Sequence, residues 1–272
     1  SSRFGHSPLF QPKPQISLPA VAPETMCKLE AAPPAPRRVA LDSRPDFAKI
    51  VAVGSLYTTI AGMLNGLAVY ELGTPVGYTS GPCVNAGRFL ATGDKKAKHI
   101  LGVCSLFYLG GIMAGLGGSA CDGDYIFEGR ASPGVLLSAS MLALGTYMKQ
   151  ALRRPTLCMQ TWALSQGLLN GITSSFSAVP LRATHTAGGQ TDAGLTVARA
   201  ILTLCHGQVP PSMRRVVLNA ACCIGMILGG WLAGRSHRRW GAMAALAPAA
   251  ALAFSATALP PLIAPNTEKL DD

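Results

Sequence analysis

Thr184, His185, Thr191 and Asp192 form a dense polar group within an otherwise apolar stretch, with Pro180 ahead of them and Gly188 and Gly189 between. Proline and paired glycine interrupt a helix. An interrupted helix at membrane depth leaves carbonyl and amide groups free to meet an ion or small polar solute. A carboxylate in that setting, Asp192, can take up and release a proton. The same side chains also support a quieter arrangement, in which Asp192, His185, Asn85 and Arg88 satisfy one another as a buried network. Either way, Asp192 is expected near Asn85 or Asn65 and not facing lipid. Gln160, Gln166 and Asn170 share one helical face, with Asn219 as a further interior candidate, and interhelical hydrogen bonding is their expected role. The candidate polar site thus comprises Asn65, Asn85, Arg88, Asn170, Thr184, His185, Thr191 and Asp192.

Enzyme chemistry finds little support. No G-x-S-x-G elbow, phosphate-binding loop, HExxH or dinucleotide fingerprint occurs, and His6, His99, His206 and His237 fall in the leading arm or between apolar blocks. No catalytic residue and no cofactor are expected. The 8 cysteines include no pair of CxxC motifs, so no metal site or disulfide framework is expected, and a thiol inside an apolar block packs as a small hydrophobe.

The elements that must position the polar group are membrane spans. Hydrophobic residues make up 49% of the chain and charged residues 13%, against about a quarter charged in a soluble domain. Apolar blocks cover approximately 49–72, 82–93, 99–120, 133–150, 156–177, 188–205, 213–234 and 240–263. The net charge of +10 sits mostly at block ends, where it meets lipid headgroups, so nucleic acid is not an expected partner. Keeping all eight blocks as spans puts Lys95, Lys96, Lys98, Lys149, Arg153, Arg154, Arg214 and Arg215 on the side of Arg37, Arg38 and Arg44, with Asp122, Asp124 and Glu128 opposite. Only Arg235, Arg238 and Arg239 then break the positive-inside rule. The expected fold is an all-α polytopic membrane protein of about eight transmembrane helices. The expected organisation is an extended Pro-rich arm over residues 1–48, a helical domain over 49–264 and a charged tail over 265–272.

The helical domain repeats itself. Gly62-Met63-Leu64-Asn65-Gly66 is echoed by Gly167-Leu168-Leu169-Asn170-Gly171, and Gly81, Asn85 and Gly87 by Gly188, Asp192 and Gly194. In the third helices Gly110, Ala114 and Gly115 align with Gly225, Gly229 and Gly230, so repeats span about 49–150 and 156–263. Four spans per half would give both halves one orientation. Gly111 and Gly115, and Gly225 and Gly229, form small-xxx-small faces suited to close helix packing.

Gln166-Gly167-Leu168-Leu169-Asn170-Gly171 and the run from Arg182 to Gly194, the latter similar to an "RTTHxTGxxTDxG" segment, carry a resemblance over residues 50 to 263 to the YoaK-like family of bacterial multi-pass membrane proteins, a domain of unknown function. The first half departs from the pattern. Asn65 stands where the family has an acid, and Pro82 where it has asparagine. The resemblance implies a transporter-like fold, and these departures remove one of its two acids.

Two functions are compatible with these residues. The first is a non-catalytic accessory subunit of a larger organelle membrane complex, touching membrane lipids and binding other subunits through residues 1–48, which lack the apolar surface to order themselves. The alternative is a secondary transporter or channel for a small solute, with its site between the repeats. A chain that begins at Ser1 without initiator Met fits removal of a targeting segment, hence the mitochondrial inner membrane or a plastid or thylakoid membrane.

Overall fold

The computed structural model describes residues 47–119, 132–174, 186–206 and 212–263. Most of the arm, the charged tail, the Asp122–Glu128 loop, Thr184 and His185 lie outside them. Chain contacts divide into two units, Ser1–Ala35 and Pro36–Asp272, and all described residues belong to the second.

Among the described residues the protein is all-helical: α1 (Phe47–Leu72), α2 (Ser80–Ala91), α3 (Lys96–Ala114, closing in a π-turn), α4 (Ser132–Gln150), α5 (Pro155–Ser174), α6 (Thr186–Cys205), α7 (Arg214–Trp240) and α8 (Leu246–Ile263). Helix α7 passes into α8 through a 3₁₀ turn opened by Gly241, whose φ of 54° suits glycine alone. Among the described residues three stretches, Phe47–Leu72, Lys96–Gly117 and Arg214–Ala258, are long and apolar enough to cross a membrane. Large apolar side chains such as Tyr108, Leu116, Ile227 and Phe254 point outward, while glycine, alanine and serine line many inner contacts. An apolar exterior around an apolar core that includes Trp162, Leu64 and Leu142 is what a lipid solvent selects, and the chain is an α-helical membrane protein.

Helix directions follow from the register of close contacts. Gly62 lies on Met226 and Gly66 on Gly230 and Ala233, so α1 and α7 run parallel. Gly167 lies on Phe107 and Gly171 on Gly111 and Ala114, so α3 and α5 run parallel. Helices α4 and α5 form an antiparallel hairpin, with Gly134 facing Ile172, Ser138 bonded to Ser165 at 2.7 Å, and Gly145 against Trp162. One end of the bundle, here the distal end, gathers Glu71 of α1, Lys149 of α4 and His237 of α7. Residues Gly73 and Thr74 meet the starts of α3 and α5, Lys96 and Pro155, around one cavity at that same end. At the proximal end Phe47 lies 5.2 Å beneath the Arg214 guanidinium, and Ser132 bonds the Ala256 carbonyl at 2.6 Å.

These contacts reverse the expected relation between the halves. Helix α1 runs from the proximal to the distal end and α5 runs back, so the repeats are inverted, not parallel. The cause is α2. With 12 residues it spans about 18 Å, and the segment before it folds back along α1. Helix α3 therefore starts at the end where α1 finished, as α7 starts at the proximal end where α5 finished, so neither α2 nor α6 adds a crossing and each half crosses an odd number of times. The eight-span arrangement is overturned on this ground.

The basic clusters regroup accordingly. Lys95, Lys96, Lys98, Lys149, Arg153 and Arg154 join Arg235, Arg238 and Arg239 at the distal end, opposite the start of α1. The cluster that broke the charge rule under eight spans now lies with these others, whereas Arg214 and Arg215, expected beside them, open α7 at the proximal end and now break it.

Packing also corrects the repeat alignment. The environment of Gly110, formed by Leu164, Gly167 and Leu168, is reproduced around Gly229 by Thr59, Gly62 and Met63. Gly111 and Ala114 likewise match Gly230 and Ala233. The third helices therefore correspond one helical turn away from the register that sequence similarity suggests. For the second helices the expected register agrees with the contacts: Cys83 approaches Cys104 at 3.6 Å as Gln190 approaches Cys223 at 3.3 Å. The dominant pairs, α1 with α7 and α5 with α3, are exchanged between halves, so neither half can pack without the other.

Candidate functional site

Asn65 is buried on α1, and its Oδ1 accepts the backbone N–H groups of Val76 at 3.2 Å and Gly77 at 2.7 Å. Position 65 lies seven residues before the end of α1, about 10 Å of helix. The clamp thus draws the 73–79 segment back into the bundle and aims α2. Gly77 has no room for a side chain, because a Cβ there would meet the Asn65 amide at 2.5 Å. Replacing Asn65 with alanine strands two buried amides. We expect Asn65→Ala to lower stability by about 2 to 4 kcal/mol in thermal unfolding in detergent.

Two cavities border α2. The distal one, about 450 Å³, is lined by Asn85 and Arg88 of α2, by Glu71, Thr74, Lys96 and His99, and by the start of α5. The other, about 580 Å³, lies beside Thr79, just before α2, Cys83 of α2, Tyr108 and Ile112 of α3, and Asn170 of α5. Deeper still, Gln166 on α5 is wholly buried with both side-chain amide atoms lacking a hydrogen-bond partner, and the Asn65 Nδ2 is likewise unpaired. The repeat places these residues on equivalent inner helices, α1 and α5. Each unpaired buried amide costs about 1 to 3 kcal/mol, so Gln166 weakens the fold where it stands.

The expected polar site is therefore dispersed. Asn85 and Arg88 share the distal cavity, Asn170 lines the second, and Asn65 braces the 73–79 segment. Thr191 and Asp192 are exposed on α6 and line neither cavity, which overturns the expectation that Asp192 faces Asn65 or Asn85. The reason is that α6 packs chiefly on α7, with Ala200 the one described residue it buries. In place of the expected hydrogen bonds, Gln166 is unpaired, and Gln160 approaches Gly102 of α3.

The packing glycines separate as well. Gly225 and Gly229 are buried against the α1 backbone. A Cβ at Gly111 or Gly115 would enter open space, and on α3 the close approach is made by Gly110.

Sequence reasoning missed an ionic cluster. Glu71, 13% exposed at its side chain, is paired with Lys149 and lies 2.9 Å from the His237 ring nitrogen. His237 stacks on Tyr70 with ring centroids 5.0 Å apart. Three helices from both halves are tied together there. The available signal was a lone acid ending the first apolar block; its partners are too far along the chain for spacing to reveal. Among the described residues no group of three or more His, Cys, Asp and Glu side chains could hold a metal ion.

The profile of the family described as "Protein of unknown function (DUF1275)" matches residues 53–259, and the chain belongs to that family. No curated protein and no solved structure matches the chain.

Proposed function

Starting from membership of this family, we propose that the protein is a secondary transporter for a small polar solute, moved along the interface between its two inverted halves. Six helices cross the membrane, α1, α3, α4, α5, α7 and α8, and the basic distal end faces the cytoplasm, matrix or stroma. The observation that carries the reading is the fully buried, unpaired amide of Gln166 on α5, with the unpaired Nδ2 of Asn65 on α1 as a second buried polar atom without a partner. Packing alone would favour an apolar side chain at 166, whereas a solute path needs polar atoms there. Inverted repeats with irregular backbone at membrane depth are the architecture in which such paths are built. The clamped 73–79 segment supplies that backbone.

The test is reconstitution in proteoliposomes with a panel of small cationic, anionic and zwitterionic solutes. Uptake of at least one is expected. Gln166→Leu should reduce that uptake by about tenfold or more while leaving thermal stability unchanged or raised. Wild-type uptake by Gln166→Leu, or no uptake of any solute, would contradict the reading.

A second reading, an accessory subunit of an organelle membrane complex, is favoured by Asp192 and Arg199, both exposed on the sparsely covered α6. Charged groups facing lipid are costly, and a neighbouring protein could cover them. On this reading residues 1–48 supply further subunit contacts, and their basic, Pro-rich composition supports an organelle location. Stoichiometric co-purification with a large complex in mild detergent, lost on removal of residues 1–45, is its expected result. Purification as a lone polypeptide would exclude it.

A further inference from the structure

The distal cavity has a chemistry of its own. Its one lining carboxylate, Glu71, is engaged by Lys149 and His237 and adds no net negative charge. Among the described residues Arg88 and Lys96 then make no ion pair. Both head groups lie over the Phe89 ring, at 4.8 and 5.9 Å, and all three residues line the cavity. Asp94, the acid nearest Lys96 in sequence, turns one oxygen to the Lys96 backbone amide at 2.9 Å. His99 adds a further donor. Helix α5 begins at this cavity, so the positive end of its dipole adds to the field, while that of α3 is met by Asp94.

A second observation points to a ligand. Thr74 is 5% exposed, lines the cavity, and its hydroxyl has no hydrogen-bond partner. A buried hydroxyl of a residue that lines a basic cavity is a donor without an acceptor.

We propose that the cavity between α2, α3 and the start of α5 binds an oxyanion of phosphate type, gripped by Arg88 and Lys96 and oriented by the Thr74 hydroxyl. A volume of about 450 Å³ holds such a group with its substituent. The cavity lies on the basic end of the bundle, so the oxyanion is either a small free anion or the headgroup of an acidic lipid in the adjoining leaflet. The site is distinct from the Gln166 path, and its test reads binding and not flux, so either proposal can fail alone.

The experiment uses the full chain purified in neutral detergent and in nanodiscs. Inorganic phosphate is titrated against thermal unfolding, and phosphatidylglycerol-containing nanodiscs are compared with pure phosphatidylcholine. Protection by phosphate that Arg88→Gln weakens about tenfold, and Thr74→Val severalfold, identifies a free-anion site. Protection by phosphatidylglycerol alone, with the same loss in both variants, identifies a headgroup site. Lys98→Gln, which does not line the cavity, should behave as wild type. Because Arg88 is exposed and Thr74→Val conserves shape, both variants are expected to fold, and their unliganded melting checks this. No protection by either probe, or protection that both variants retain in full, overturns the site.

Discussion

Placing leucine at Gly229 or at Gly167 should abolish folding of the bundle. At Gly229 a Cβ would fall inside the α1 backbone around Thr59, Gly62 and Met63. At Gly167 it would fall inside the α3 backbone at Phe107. These obstacles are main chain, so no rotamer change relieves them and the helices must separate. Overpacking a core usually costs about 1 to 3 kcal/mol, and collision with backbone belongs at or above the upper end. Even alanine should be damaging at both positions. The internal control is Gly115→Ala, where the added methyl meets nothing and the replacement favours the helix by about 1 kcal/mol. Monodispersity on size exclusion and thermal unfolding in detergent check all three, and a well-folded Gly167→Leu would refute the parallel α3–α5 packing.

Removing Glu71 should be the next most damaging change. Its carboxylate is 13% exposed and its partner Lys149 is 20% exposed, so both have largely left solvent. Deleting one member of a largely buried pair costs about 3 kcal/mol, since the remaining charge stays desolvated without compensation. Glu71→Leu should therefore lower the melting temperature sharply, with His237 also losing its acceptor. Adding Lys149→Leu should recover most of the loss, because the stranded charge is then gone. A double variant no better than the single would mean that Glu71 acts through something other than Lys149.

Much of this architecture was legible in the sequence, and particular residues show where legibility ended. Long apolar blocks separated by basic clusters indicate membrane helices, and the Gly-x-x-Asn-Gly echo reveals the repeat. The orientation of the repeat depends on α2, a block too short to classify by hydropathy. What decides it is the Asn65 clamp on Val76 and Gly77, a tertiary contact with no periodic signature. The third helices were aligned one turn out because Gly110, Gly111, Ala114 and Gly115 repeat at helical spacing and match Gly225, Gly229, Gly230 and Ala233 in more than one register. Asp192 stood out as a lone acid in an apolar setting, yet nothing in sequence tells which face of α6 is covered. Glu71 and His237 are far apart in the chain, and only the parallel course of α1 and α7 joins them.

The inverted arrangement is tested most directly by the sidedness of single cysteines placed in a chain stripped of its native ones and probed with a membrane-impermeant maleimide. Lys98→Cys, Arg153→Cys and Arg238→Cys should all label from one side of the membrane, with Lys49→Cys and Ser212→Cys labelling from the other. Labelling of Lys98→Cys from the same side as Lys49→Cys would mean that α2 crosses the membrane and that the two halves share one orientation.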